Sequence, residues 1–136
     1  MKRYVKSETE GRYTKIQNDV VDRYNIILDE FSTCRRRTHA HIKERRVCKW
    51  HPKNSIDSTF ELLHEIGHIE TTKSNMRRCE AEYYATQWAI DTAKEYGLTI
   101  PDKLIKFYQD YIDRELNRGV RRHGSDYDTE GLKLKP

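Results

Sequence analysis

The 136-residue chain has no apolar run that approaches the length of a membrane span, and its opening MKRYVKSETEGRY lacks the hydrophobic stretch of a signal peptide. Cysteine is scarce, and an odd number of three without a secretory context indicates reduced thiols. No internal repeat, low-complexity tract or linker divides the chain. We therefore expect a cytoplasmic protein without membrane association, formed by a single domain over residues 1–136 with flexible N- and C-terminal tails.

The charge is balanced rather than strongly of one sign. Charged residues make up 35% of the chain, yet the net charge is only +4, which permits an acidic partner without requiring one. Basic residues are densest at Arg35–Arg37 and Lys43–Arg46, but Glu44 interrupts the second run and no recognition-helix pattern is present. A solvated strand pair or a docking surface for an acidic protein is favoured over direct nucleic-acid binding.

Hydrophobic periodicity predicts four helices and two short strands. The helices are expected over 16–31, over 59–71, from Ser74 or Asn75 to Gly97, and from Pro101 to about Gly119, with the strands within 34–52 and an irregular tail after the last helix. Ser58 and Glu61 fit a capping box at the start of the second helix. The pattern predicts an α+β fold that is mainly helical, with a small β-sheet before that helix.

The stretch FELLHEIGHIE within the second helix contains an HExxH motif formed by His64, Glu65 and His68. A helix advances about 100° per residue, so the two histidines lie about 40° apart on one face. Two imidazoles one turn apart can bind the same zinc ion, and the glutamate between them can act as general base. The alternative is a solvated helix face that spells the motif by chance.

A catalytic zinc ion usually has three protein ligands, and the next helix supplies two candidate carboxylates. Glu80 shares a face with Tyr84 and Gln87, beside a small-and-aromatic stripe that could pack on the HExxH helix. Glu82 lies about 200° away from Glu80, so only one of them can face the metal. We favour Glu80 as the third ligand, and the choice between the two stays open.

These segments, ELLHEIGHI and EAEYYATQWAI followed by Pro101, resemble the ImmA/IrrE family of zinc metallopeptidase-like proteins. The resemblance covers about a third of the chain and implies a zincin-like domain with His64, His68 and Glu80 as Zn²⁺ ligands and Glu65 as general base. It also implies a hydrolase, a metalloendopeptidase of phages or mobile elements that cleaves or inactivates a repressor. Glu82 stands where the family has Asn or Asp, and the gap between the motifs requires a tight turn around Lys73–Asn75.

Two other functions compete with the metallopeptidase. A non-catalytic, zinc-stabilised regulator or anti-repressor would act by binding a protein, because the expected sheet is short for aligning a peptide substrate. A DNA-associated protease of the SprT-like kind is suggested by the basic stretch.

Two further groups of side chains are candidates for chemistry. The oxyanion of peptide hydrolysis needs a hydrogen-bond donor, for which the candidates are Tyr83, Tyr84 and His123. A loose Cys/His cluster could hold a second, structural metal ion, although no second tight pair completes a finger-like spacing. Its members are Cys34, Cys48, His39, His41 and His51.

Overall fold

A computed structural model describes residues 11–29 and 38–136 of the chain. The elements follow the order α1 (Arg12–Arg23), β1 (Ile27–Asp29), β2 (His39–His41), β3 (Arg46–Cys48), α2 (Ile56–Thr71), α3 (Arg78–Glu95) and α4 (Asp102–His123), with a short 3₁₀ turn at Gly124–Asp126. The predicted class is confirmed, since four helices accompany one small sheet. Among the described residues, no helix is both long enough and apolar enough to cross a membrane.

The first helix ends earlier than predicted. Asn25 adopts a left-handed φ of 56°, and Ile27 already belongs to β1. Helical spacing of apolar residues could not separate these positions, because a short run such as Ile26–Leu28 fits a strand equally well. The predicted end at Phe31 lies outside the described residues. Gln17 fixes the helix to the start of α2 by donating its amide N–H groups to the carbonyl of Lys53 (2.9 Å) and the hydroxyl of Thr59 (2.8 Å).

The sheet has the strand order β1-β3-β2, with β3 parallel to β1 and antiparallel to β2. The hairpin of β2 and β3 confirms the two predicted strands, whereas β1 was not predicted. Val47 and Cys48 of β3 are buried, and β2 lies against α2. The sheet is therefore attached to the HExxH helix through its edge strand.

The HExxH helix α2 begins at a different cap from the one predicted. The hydroxyl of Ser55 accepts the backbone N–H of Ser58 at 3.2 Å, so Ser55 is the N-cap and Ser58 lies within the first turn. The Ser58 hydroxyl donates instead to the carbonyl of His51, and the Ser58 carbonyl accepts the indole N–H of Trp50. The side of α2 that faces the core consists of fully buried residues: Phe60, Leu62, Leu63 and Ile66.

The helices α2 and α3 cross in close contact at Gly67. A Cβ atom on Gly67 would lie 2.3 Å from the carbonyl oxygen of Ala85, closer than any side chain permits. The missing side chain therefore permits the short distance between the two helices. A tight turn in which the Met76 N–H donates to the Lys73 carbonyl (3.2 Å) joins the helices, as predicted.

The helix α3 begins later than predicted and ends where predicted. The helix begins after Arg77 rather than after Ser74 or Asn75, because the Glu80 side chain caps the Arg77 N–H. It ends at Tyr96, and Gly97 follows with a φ of 72°, so the predicted stop is confirmed.

The last helix starts after Pro101 as predicted but continues past Gly119. A Cβ atom on Gly119 would lie 2.2 Å from the ring of Tyr127, so this glycine serves packing, and the helix ends at Gly124 with a φ of 79°. The segment after it is irregular, as predicted, but it is held by side chains rather than loose. Gln109 and Gln87 each form two hydrogen bonds with its backbone.

Candidate metal centre

His64 and His68 lie one turn apart on α2 with their rings 4.7 Å apart, as the HExxH spacing predicted. Their side chains are 10% and 15% exposed. The histidine face of α2 is therefore covered by protein, and the alternative of a solvated helix face does not describe it. Two buried imidazoles need polar partners, since a buried nitrogen without one costs free energy.

Glu82 on α3 supplies that partner. Its Oε2 atom lies 3.1 Å from Nε2 of His64 and 3.1 Å from Nε2 of His68. Ligand bonds of about 2.0–2.2 Å to a tetrahedral zinc ion place neighbouring ligand atoms about 3.3–3.6 Å apart. A small outward shift of three side chains would therefore make room for an ion between them.

The prediction that Glu80 faces the histidines is wrong. Its Oε1 atom accepts the Arg77 backbone N–H at 3.1 Å and the Arg77 guanidinium at 2.8 Å, and this guanidinium holds the pKa of Glu80 below its ordinary value. Glu80 thus caps α3, and the position opposite the histidines belongs to Glu82. The physical reason is the phase of α3 about its own axis: the face packed on α2 contains Ala85 and Ala89, as predicted, but also Glu82.

Thr86 orients the His64 ring and was not identified from the sequence. Its hydroxyl donates to the Glu82 carbonyl at 2.8 Å, and with that proton used its oxygen can accept the N–H at Nδ1 of His64, 3.0 Å away. The proton of a neutral His64 is then on Nδ1, and the lone pair of Nε2 points at the Glu82 carboxylate. A hydrogen bond from the ring nitrogen that does not face the metal holds metal-binding histidines in the correct tautomer. The sequence contained a signal for this role, because Thr86 follows Glu82 by one helical turn and therefore lies on the same face of α3.

The electrostatics of the trio leave a place for a cation. Burial lowers the pKa of His64, whereas the Glu82 carboxylate overcomes burial at His68 and raises the pKa there. Burial alone would raise the pKa of Glu82, but hydrogen bonds from the two imidazoles hold it far below the ordinary value. Those hydrogen bonds require a proton on each Nε2; in the tautomer of neutral His64 that carries its proton on Nδ1, the lone pairs of His64 Nε2 and of the Glu82 carboxylate face each other across 3.1 Å instead. A metal ion satisfies both of them, so the donor set fits Zn²⁺.

Glu65 lies beside the trio, as the motif predicted. One ligand atom from each of His64, Glu65 and His68 can be chosen so that all lie within 4.8 Å of one another. Glu65 is only 7% exposed, and burial raises its pKa to about 8. No described residue forms a hydrogen bond with its carboxyl group. A carboxylate with a pKa near neutrality is suited to accepting and returning a proton.

Tyr108 of α4 completes the surroundings of the histidines and was not identified from the sequence. Its ring lies 4.8 Å from that of His64. Burial, together with the charges of Glu61 and Glu65, raises the pKa of Tyr108, so the phenol remains protonated and able to donate. No described residue accepts a hydrogen bond from it.

The side chains that the sequence suggested as oxyanion donors lie elsewhere. Tyr83 packs beside a small cluster of Cys79, Ile112 and Leu132, and Tyr84 is 44% exposed. His123 stacks on Tyr127 at the end of α4.

Part of the predicted Cys/His cluster also comes together. Ligand atoms of His39, His41 and Cys48 lie within 4.8 Å of one another, whereas the exposed His51 is not among them. Cys34 lies outside the described residues.

The basic stretch is partly neutralised. Arg45 forms an ion pair with Glu70, and Arg46 forms ion pairs with Asp29 and Glu44. Arg35–Arg37 lie outside the described residues.

Comparison with known proteins gives no independent assignment. No protein-family model, no curated protein and no solved structure matches the chain. Two groups among the described residues could hold a metal ion: His64/Glu65/His68, with Glu82 beside the histidines, and His39/His41/Cys48.

Proposed function

We propose that the chain is a zinc metalloendopeptidase of the ImmA/IrrE type, which hydrolyses a peptide bond in a regulatory protein such as a phage or mobile-element repressor. The observation that carries this proposal is the convergence of His64, His68 and Glu82 on one point, with the buried carboxyl group of Glu65 beside it. Two imidazoles and one carboxylate with an open position are the ligand set of catalytic zinc.

The chemistry divides between the ion and the protein. Zn²⁺ held by the trio supplies a Lewis acid that acidifies water and polarises a carbonyl. Glu65, buried beside the trio, would accept the proton of the attacking water and return it to the leaving amine. Tyr108, whose ring centroid lies 4.8 Å from that of His64, would donate its hydroxyl hydrogen to the developing oxyanion.

A strand edge supports a peptide as the substrate. Strand β2 lies at the edge of the sheet, and no described strand pairs with its outer side. It lies against α2, to which Thr38 ties it by donating its hydroxyl to the Glu61 carboxylate. An extended peptide can add to such an edge through backbone hydrogen bonds. Phe107, 56% exposed and next to Tyr108, offers an apolar contact for a substrate side chain.

The competing proposal is a non-catalytic regulator that binds a repressor. It is favoured by the location of the ligands on two different helices, because an ion bound by residues of α2 and α3 would hold these helices together. Each strand of the sheet is also only three residues long. Under this alternative, zinc would have a structural role and Glu65 would take no part in the activity.

The experiment incubates the zinc-loaded protein with a cell lysate and identifies new protein N-termini by mass spectrometry. We expect zinc-dependent cleavage by the wild type, none by Glu65→Gln with zinc still bound, and wild-type cleavage by Asp57→Asn, a control at an exposed position of the same helix. Cleavage by Glu65→Gln at the wild-type rate contradicts the proposed mechanism. Bound zinc without any new N-terminus favours the regulator instead.

A further inference from the structure

A second set of metal-ligating side chains lies on the sheet. His39 and His41 are two residues apart on β2, so both side chains emerge on the same face. Cys48 is the direct partner of His39 in the antiparallel register with β3, which places its side chain on that face as well. Ligand atoms of these three residues lie within 4.8 Å of one another. The register of the hairpin thus produces the cluster.

The donors select the kind of ion. A thiolate and two imidazoles suit zinc and other borderline-soft ions, and they do not suit Mg²⁺ or Ca²⁺, which prefer oxygen ligands. Bonds of about 2.0–2.1 Å to nitrogen and 2.3 Å to sulfur bring tetrahedral ligand atoms to about 3.3–3.6 Å from one another. Separations of up to 4.8 Å need only a modest rotation of the two histidine side chains.

The surroundings favour a bound cation and give it access. Cys48 is 1% exposed, His39 is partly buried and His41 is exposed. The three side chains therefore lie between the protein interior and the surface, where an ion can reach them. Arg46 shares the face, but carboxylates of Asp29 (3.2 Å) and Glu44 (3.0 Å) offset its charge.

The turn of the hairpin that carries the donors is anchored to two helices. Arg45, in the turn between β2 and β3, bonds to the Tyr24 carbonyl and the Glu70 carboxylate, both at 2.6 Å. These bonds attach the hairpin to the end of α1 and to α2. The donors are therefore presented by an anchored hairpin rather than by an unsupported one.

We infer that His39, His41 and Cys48 form a second metal site, which binds Zn²⁺ through one thiolate and two imidazoles and joins the edge strand β2 to β3. The site shares no residue with the His64/His68/Glu82 trio. It does not depend on whether the chain is a peptidase.

Co²⁺ distinguishes the two sites, because only the sheet site contains a thiolate. The full chain, kept reduced with a phosphine, is titrated with Co²⁺ near neutral pH while its near-ultraviolet absorption is recorded. We expect a thiolate-to-cobalt charge-transfer band, and its disappearance when Zn²⁺ displaces the cobalt. The band should persist in the His64→Ala/His68→Ala variant, which lacks the helix site. A wild type that binds Co²⁺ without this band overturns the inference.

Variants assign the ligands. Cys48→Ser should abolish the band, whereas Cys79→Ser, which removes another buried thiol, should retain it. Because Cys48 is buried and its replacement could unfold the sheet, His41→Asn at an exposed position provides the second test. It should weaken Co²⁺ binding at least tenfold while the circular dichroism stays unchanged. A band of wild-type intensity and affinity in either Cys48→Ser or His41→Asn contradicts the assignment.

Discussion

Gly67 of α2 lies directly against the backbone carbonyl of Ala85 on α3, and a Cβ atom at Gly67 would approach that oxygen to 2.3 Å. This contact decides how near Glu82 and Thr86 come to the histidines, since they flank Ala85 on α3. The metal centre therefore depends on a residue that has no side chain. It also explains why a glycine occupies the middle of a helix, where it costs about 1 kcal/mol relative to alanine.

Gly67→Ala should destabilise the protein by about 1–3 kcal/mol and weaken zinc binding, because the helices must separate and draw Glu82 away. Gly119→Ala is the matched control. Its Cβ would meet the Tyr127 ring, so it should also cost stability but leave zinc affinity unchanged. Denaturant unfolding and zinc titration measure the two effects. A stabilising Gly67→Ala, as helix propensity alone predicts, would show that the close contact does not exist.

Glu82→Gln should reduce zinc affinity by more than the roughly 10–100-fold that loss of a second-shell partner costs. Glu80→Gln is the matched control, because Glu80 caps α3 through Arg77 and should affect helix stability but not zinc. Calorimetric zinc titration of both variants in a His41→Asn background, which weakens the sheet site at an exposed position, measures this site. Loss of zinc in Glu80→Gln with retention in Glu82→Gln would restore the sequence-based assignment.

How much of this site the sequence predicts depends on whether the information is local. His64, Glu65 and His68 lie within one continuous helix, so their geometry follows from helical periodicity. The choice between Glu82 and Glu80 depends on the rotation of α3 against α2, which the Gly67–Ala85 contact fixes and no spacing rule contains.

The other errors of the sequence-based prediction also come from contacts between distant parts of the chain. Ile27 fits helical spacing with Tyr24, yet it pairs with Arg46 in the parallel ladder of β1 and β3. Tyr108 belongs to an apolar stripe, and only the position of α4 brings it beside His64. Tertiary contacts, which local patterns do not specify, decide these cases.

Thr86→Val should lower zinc affinity about 10–100-fold without unfolding the protein, because it removes the acceptor for the Nδ1 proton of His64. Thr86→Ser retains the hydroxyl and should bind zinc as the wild type does. Zinc titration is the measurement, with circular dichroism as the check on folding. Equal affinities for the valine and serine variants would mean that the hydroxyl does not orient the ring.

Glu65→Gln should stabilise the metal-free protein increasingly as the pH rises. Burial raises the pKa of Glu65 to about 8 in the folded state, compared with an ordinary value of 4.5. A raised carboxyl pKa means that its contribution to stability is complete below about pH 4.5 and is lost as the pH rises through about 8. Glutamine stays neutral, so its advantage over the wild type should grow to a few kcal/mol between pH 5 and pH 8. Urea unfolding with chelator present measures the difference, and a gap that is constant over this range contradicts the burial of an ionisable Glu65.

Tyr108→Phe should lower the rate of peptide cleavage by about 10²–10³-fold, the cost of removing one oxyanion donor, while zinc affinity and the fold are preserved. The aromatic ring that packs at 4.8 Å from His64 and 5.1 Å from Phe60 remains in this variant, so only the hydroxyl is lost. Tyr111→Phe is the matched control on the same helix, since its hydroxyl bonds to Arg78 outside the trio. The measurement is the cleavage rate of a substrate found by the N-terminal analysis, at saturating and at low substrate concentration. A loss confined to KM, with kcat unchanged, would assign Tyr108 to substrate binding instead of transition-state stabilisation.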